Sequence, residues 1–117
     1  MKIPFISVLL IACLAVSSCA LFRQPLDKWS GFSNHLVKIE KLIRKGQWRD
    51  AAIYLPKAVH AWKRIKPFLQ VDIDHDYVND IEADFIRLKG NIETEDKSDS
   101  LENILLIRDN WKNIGSM

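Results

Sequence analysis

Apolar residues recur every three or four positions along most of the chain after residue 25, which is the spacing of one face of an α-helix. Four such stripes follow one another. They contain Leu26, Trp29, Phe32, Leu36, Ile39 and Ile43, then Trp48, Ala51, Ala52, Leu55, Val59, Trp62 and Ile65, then Tyr77, Val78, Ile81, Phe85, Leu88 and Ile92, then Leu101, Ile104, Leu105, the stem of Arg108, Trp111 and Ile114. No strand-like alternation of useful length occurs, so we predict an all-α fold with one helix per stripe.

Helix-breaking and helix-capping residues predict where these helices end. Gly46 follows the first stripe and should stop that helix. Pro56 should kink the second helix, because proline lacks the N–H donor and crowds the preceding turn. Pro67 should bend or end the same helix. A polar turn precedes the fourth helix, for which Asp99 and Glu102 have the spacing of a capping box.

The two halves of the pattern resemble each other. Shifted by 49 residues, Trp62-Lys63-Arg64-Ile65 aligns with Trp111-Lys112-Asn113-Ile114. The other equivalent pairs are Ile39 and Leu88, Ile43 and Ile92, Asp50 and Asp99, and Leu55 and Ile104. We predict two antiparallel helical hairpins, residues 26–70 and 71–117, that form a small four-helix bundle or a pair of stacked hairpins.

The N-terminus has the layout of an export signal, because Lys2 precedes an almost wholly apolar run. Val16-Ser17-Ser18-Cys19 resembles the lipobox of bacterial lipoproteins, in which the Cys thiol takes a diacylglyceryl group and small residues admit the peptidase. We predict a signal peptide over residues 1–18, an acylated Cys19 that holds the protein in membrane lipid, and a short tether over residues 19–25.

Two alternatives to this processing stay open. Leu10-Ile11-Ala12-Cys13 also fits the pattern, so Cys13 is the alternative lipidation site, although it would leave a short apolar region. Residues 3–22 are 20 residues without a charge, about enough to cross a bilayer as an uncleaved anchor. Either way the folded part is expected on the extracytoplasmic face of the cell membrane.

Charge is unevenly distributed along the chain. Residues 19–70 contain eleven basic and three acidic residues, a net charge of +8, whereas residues 71–117 contain five basic and twelve acidic residues, a net charge of −7. The basic half follows the anchor and could contact anionic lipid. The candidate contacts are Arg23, Lys28, Lys38, Lys41, Arg44 and Lys45. Alternatively, these charges only solvate the outer helix faces and pair across the hairpins.

One segment has a composition that suits a divalent cation. Its candidate ligands are Asp72, Asp74, His75 and Asp76. The segment departs from the EF-hand pattern, because Tyr77 replaces the required glycine and Ala83 replaces the bidentate acid. These acids could equally cap the third helix and interact with its positive end.

Nothing in the sequence predicts catalysis. The three histidines lie in separate segments, and no nucleophile motif or glycine-rich phosphate loop is present. An enzyme would need His60 or His75 to converge with an acid such as Glu82. We expect no catalytic residue, no cofactor and no nucleic-acid partner. The four tryptophans are expected mainly in the core, and the mature chain has no cysteine beyond Cys19 for disulfides or metal sites.

Several segments together resemble a known family. They are Gln47-Trp48-Arg49-Asp50-Ala51 through Trp62-Lys63, Ile73-Asp74-His75-Asp76, Ile81-Glu82, Arg87-Leu88-Lys89 and Glu95-Asp96-Lys97. Their order is similar to domain-of-unknown-function family 4363, which comprises small lipid- or membrane-anchored bacterial proteins. The resemblance covers roughly residues 36–114. It implies a helical cell-envelope protein and no catalytic residue.

The sequence therefore predicts a non-enzymatic envelope lipoprotein. We expect it to act as a binding or accessory subunit for another envelope or membrane protein on the outer face of the cytoplasmic membrane. The alternatives are a small-ligand or cation-binding module and a single-span membrane protein with an uncleaved N-terminal anchor.

Overall fold

The structure, a computed structural model, describes residues 25–69 and 75–114. These ranges are helical and contain no strand, which confirms the all-α prediction. A helical segment over residues 25–30 precedes four helices and a 3₁₀ turn that extends the second of them. The helices are α1 (Phe32–Arg44), α2 (Trp48–Ile65), α3 (His75–Glu93) and α4 (Lys97–Asn113), and the 3₁₀ turn is Lys66–Phe68.

The helices pack as consecutive neighbours. α1 contacts α2, α2 contacts α3, α3 contacts α4, and α4 returns to contact α1. Each helix therefore buries its apolar stripe against two others, which is the main source of helix stability in a folded domain. The most extensive of these contacts joins α3 to α4.

Aromatic rings from all four helices meet at the centre of the core. The ring centroid of Phe32 lies 5.1 Å from that of Trp111, 5.5 Å from that of Trp62 and 6.1 Å from that of Phe85. Trp62 and Trp111 also contact each other edge to face at 6.3 Å. Aromatic pairs of this kind contribute about 0.5–1.5 kcal/mol each beyond simple burial. Most of the predicted stripe residues are buried around this cluster.

Some residues of the predicted stripes are not in the core. Trp29 is 54% exposed and Leu105 is 44% exposed. On α4 the buried face instead includes Ile107 and two polar residues, Ser100 and Asn103. Asn103 can be buried because its side-chain oxygen accepts a hydrogen bond from Asn91 on α3 at 2.6 Å. Hydrophobic spacing alone placed Leu105 wrongly because it could not anticipate this polar pair.

The predicted first helix is interrupted at Gly31. This residue adopts a left-handed conformation with φ of 68°, which glycine does at little cost. The Asp27 carboxylate accepts a hydrogen bond from the Ser33 backbone N–H at 2.8 Å and also bonds the Ser33 hydroxyl. Asp27 thereby satisfies a donor at the start of α1 that the interrupted helix leaves free. The prediction of one continuous helix from Leu26 was wrong for this reason.

The other predicted helix ends have mixed outcomes. α4 begins before the predicted capping box, because Asp96 is its N-cap and accepts from the Asp99 N–H at 3.0 Å. Asp99 therefore lies in the first turn and donates to the cap. Pro67 lies in the 3₁₀ turn that follows the end of α2, as predicted. α2 stays helical on both sides of Pro56, and a kink there stays a prediction.

Candidate functional site

An open apolar groove of about 440 Å³ lies between α2 and α3. We call it the α2–α3 groove. Its apolar lining is formed by Ala52, Leu55, Pro56, Val59, Trp62, Phe85, Ile86 and Ile92. Ala52 and Pro56 contribute short side chains to this lining. Ile86 is 76% exposed at the edge of the groove, so it extends the apolar surface that the groove presents to solvent.

Charged residues border the α2–α3 groove. Glu82 accepts hydrogen bonds from Lys66 Nζ at 2.9 and 3.0 Å and from Trp62 Nε1 at 3.3 Å. These bonds join the end of α2 to α3, so Glu82 is occupied by structural contacts. Lys63, Lys89 and Glu93 line the remainder of the border. Two of these three residues are cationic, which makes the border locally basic.

A second cleft, of about 390 Å³, lies where α1 and the segment before it meet α4. Trp111 Nε1 donates to Ser33 Oγ at 3.1 Å and to Asp27 Oδ2 at 3.3 Å. The same carboxylate caps α1, so one group ties the chain entry to α1 and to the last turn of α4. Sequence reasoning missed Asp27, because it bonds the Ser33 N–H from six residues away and not from the N-cap position.

Glu40 links α1 to α4 near this cleft. Its carboxylate accepts from Arg44 Nε at 2.9 Å and from Arg108. Burial alone would raise the pKa of the Glu40 carboxyl, but the hydrogen bonds and positive charges of the two arginines outweigh burial and hold its pKa below the ordinary value. Arg44 was predicted to contact lipid, and Arg108 to pack through its stem. Both direct their guanidinium groups to Glu40, and the two expectations stay predictions.

A third pocket, of about 380 Å³, lies between residues 30–35 and one face of α2. We call it the basic pocket. It is lined by Ser30, His35, Pro56, Lys57, His60, Ala61 and Arg64. The Arg64 guanidinium lies 4.3 Å from the centre of the Trp29 ring, and Lys57 Nζ lies 5.0 Å from the centre of the Tyr54 ring. None of the lining residues is acidic.

His35 is held at the inner side of the basic pocket. Its Nδ1 lies 2.9 Å from the Tyr54 hydroxyl oxygen. Burial, and secondarily the charge of Lys57, lowers the pKa of His35. The imidazole is therefore neutral in the folded protein over a wider pH range than an exposed histidine.

His60 and Glu82, which an enzyme of the kind considered above would need to bring together, lie in different cavities. His60 lines the basic pocket, whereas Glu82 lines the α2–α3 groove. The side chain of His75 lies outside the described residues, as do Asp72 and Asp74 of the predicted cation site. Asp76 is described and is exposed. In residues 25–69 and 75–114, no group of three or more His, Cys, Asp or Glu side chains could hold a metal ion.

The predicted lipid-contact residues that the structure describes are distributed from the segment before α1 to its C-terminal end, and their contact with lipid stays a prediction. Lys28 lies before α1, whereas Arg44 and Lys45 lie at its far end. A helix of this length separates its ends by roughly 20 Å. Lys38 and Lys41 are exposed between them. Arg23, Cys13 and Cys19 lie outside the described residues.

The described helices do not include a membrane span. None of them, within residues 25–69 and 75–114, combines the length and apolar character that crossing a bilayer requires. The apolar N-terminal run of the sequence lies outside these ranges.

Comparison with protein families gives a match over most of the chain. Neither the curated proteins nor the solved structures include one with significant similarity to this chain. The family model described as Domain of unknown function (DUF4363) matches residues 26–117, which includes all four helices and most of the sequence. The match confirms the resemblance inferred from the sequence, and the chain belongs to the DUF4363 family.

Proposed function

We propose that this protein is a non-enzymatic cell-envelope lipoprotein whose helical domain binds a helix of another envelope protein in the α2–α3 groove. The observation that carries the proposal is the open apolar groove with Ile86 76% exposed beside it. A surface of this kind is typical of interaction sites.

A four-helix bundle is the arrangement that we propose for the domain. The cyclic order of contacts, in which α4 returns to α1, supports it. In such a bundle the four seams between neighbouring helices are the available binding surfaces. The α2–α3 seam is the one lined by Ala52 and Pro56 together with the exposed Ile86.

The chemistry of the groove favours an amphipathic helix as its occupant. Two packed helices present a linear apolar surface into which a third helix can place side chains at spacings of three and four residues. Glu82 is already paired with Lys66, so Lys63 and Lys89 dominate the charge at the border. We therefore expect the partner helix to carry acidic residues beside its apolar stripe.

The sequence supports placing this domain at the membrane. The lipobox ending at Cys19 would attach lipid, and only five residues separate Cys19 from Pro25, where the described structure begins. Two acyl chains give stable membrane attachment, whereas one is marginal. A short tether would restrict the domain to partners in or near the same membrane.

Photocrosslinking in cells tests the groove. A photoreactive residue at position 86 should give a discrete protein adduct, and the crosslinked peptide should be an amphipathic helix with acidic flanks. The matched control is position 106, because Leu106 is 42% exposed on α4 and lines none of the three cavities. The Ile86→Glu variant should no longer form a complex with the partner protein, whereas the Leu106→Glu variant should still form it. Equal adducts from both positions, or lipid adducts alone, would contradict the proposal.

A further inference from the structure

We propose that the basic pocket binds a phosphate group carried by a small molecule or a lipid headgroup. This inference does not depend on the α2–α3 groove, because the two sites share only Pro56 among their lining residues. It concerns Lys57, His60 and Arg64 on α2, with Ser30 opposite them.

The spacing along α2 places three potential donors on one helix face. His60 follows Lys57 by three residues and Arg64 follows it by seven, so all three lie on the same side of the helix. Two helical turns separate Lys57 from Arg64, a rise of about 10 Å. His60 lies between them, and the pocket opens beside all three.

Aromatic rings hold the two permanent cations in position without using their hydrogen-bond donors. Arg64 stacks on Trp29 and Lys57 lies over Tyr54, at 4.3 and 5.0 Å. A cation over a ring keeps its N–H groups available to an anion. Arg44, Lys66, Arg87 and Arg108 each pair with a carboxylate. None of them lines the basic pocket.

Ser30 gives the pocket a neutral donor. Its Oγ accepts from the Phe32 backbone N–H at 3.2 Å, and the residue is only 7% exposed. The hydroxyl hydrogen is not used by that bond and can be donated to an anion. A guanidinium, an ammonium and a hydroxyl around one cavity are the donors that phosphate oxygens require.

The size and surroundings of the pocket indicate what carries the phosphate. A volume of about 380 Å³ exceeds that of a bare phosphate ion and falls within the roughly 300–1,000 Å³ typical of organic ligands. Trp29 and Phe68, which are 54% and 56% exposed, contact each other edge to face at 6.3 Å beside Arg64. Exposed tryptophan is favoured at bilayer interfaces, so a phospholipid headgroup and a soluble phosphate ester are the two sources to distinguish.

Titration calorimetry on the full chain, purified in an uncharged detergent, tests the site. The probes are glycerol 3-phosphate in solution and phosphatidylglycerol incorporated in the micelles. We expect saturable binding of at least one probe. Arg64→Gln and Lys57→Gln should each weaken it by about tenfold or more, because each removes a charged hydrogen-bond donor. Arg49→Gln is the control, since Arg49 is exposed on the same helix and lines none of the three cavities.

Each outcome decides the proposal. Binding of glycerol 3-phosphate that Arg64→Gln weakens supports a soluble ester as the ligand, and binding of phosphatidylglycerol alone with the same sensitivity supports a lipid headgroup. Absence of saturable binding to both probes would overturn the proposal. Equal weakening by Arg49→Gln and Arg64→Gln would also overturn it, because binding would then follow total charge. Both arginines carry their charge at the surface, and circular dichroism of each variant verifies that the fold is unchanged.

Discussion

Gly46 and Glu95, which are 49 residues apart, adopt the same left-handed backbone conformation, with φ of 69° and 56°. Their N–H groups donate to Ile43 and Ile92 at 3.0 and 3.1 Å, and the N–H of each following residue donates to a carbonyl five residues before it at 2.9 Å. The two helix connections are therefore the same turn, of the type that commonly ends a helix. The internal similarity of the sequence extends to backbone geometry, although only the first turn uses glycine.

Replacing Glu95 by glycine should stabilise the protein. A side chain in the left-handed region costs about 1–2 kcal/mol, and the added flexibility of glycine in the unfolded chain offsets about 0.4–1 kcal/mol of that. We expect the free energy of unfolding to rise by up to about 1.5 kcal/mol, measured by urea denaturation. Glu102→Gly is the control, because Glu102 is exposed within α4 and glycine there should destabilise by about 1 kcal/mol. Destabilisation by both changes would contradict this explanation.

Ser100 shows a second difference between the two halves. It is fully buried at the position equivalent to Ala51, and in the described structure its hydroxyl has no hydrogen-bond partner. Ser100→Ala should raise the free energy of unfolding by about 1 kcal/mol, because burying an unpaired hydroxyl is unfavourable and alanine is the better helix former. Ser98→Ala, at an exposed position of the same helix, should give a smaller gain. If Ser100→Ala destabilises the protein, the hydroxyl makes a bond that matters for stability.

The helical fold could be predicted from the sequence because its signals are local. Apolar spacing identified Leu36, Ile39, Ile81, Leu88 and most of the other core residues, which the structure buries. It placed Trp29 and Leu105 wrongly. Apolar spacing cannot show that the turn at Gly31 displaces the segment that contains Trp29. It also cannot show that the hydrogen-bonded side chains of Asn91 and Asn103 are buried between α3 and α4. The helix break at Gly31 is accompanied by the hydrogen bond from the Ser33 N–H to the Asp27 carboxylate, six residues earlier in the chain. This contact forms only once the turn exists.

The candidate sites were harder to predict because they depend on which helices become neighbours. The α2–α3 groove forms where the short side chains of Ala52 and Pro56 on α2 meet Ile86 on α3. The sequence alone did not show that these two helix faces are neighbours. The basic pocket combines Ser30 with residues of α2 more than 25 positions later. The sequence did identify the excess of positive charge in the first half. It could not show that Arg44 turns to Glu40 while Arg64 stacks on Trp29.

The link between Glu40 and the two arginines should make stability depend on acidic pH. The pKa of Glu40 is lowered in the folded protein, so its contribution is present above the ordinary glutamate pKa and is lost as the pH falls through the folded value. We expect the free energy of unfolding to fall between about pH 6 and about pH 3, and less steeply in Glu40→Gln than in the wild type.

Denaturation curves at several pH values test this dependence. Glu102→Gln is the matched control, because Glu102 is exposed and removal of its charge should leave the slope close to that of the wild type. Arg108→Gln should reproduce the effect of Glu40→Gln, since Arg108 supplies the contact from α4. Parallel curves for the wild type and Glu40→Gln would show that Glu40 does not contribute to the acid sensitivity.

Lipid attachment through Cys19 makes a separate prediction. Cys19→Ala should block acylation and the cleavage that follows it, because the thiol is the nucleophile that receives the diacylglyceryl group. The variant should therefore keep residues 1–18 and lack the lipid mass, whereas the wild type should begin at an acylated Cys19. Intact mass measurement of protein extracted from membranes distinguishes these forms. Cys13→Ala is the control and should be processed as the wild type, because residues 14–18 still precede an intact lipobox cysteine. A full-length, unmodified mass for the wild-type protein would instead support an uncleaved anchor. If only Cys13→Ala prevents processing, Cys13 and not Cys19 is the residue that carries the lipid.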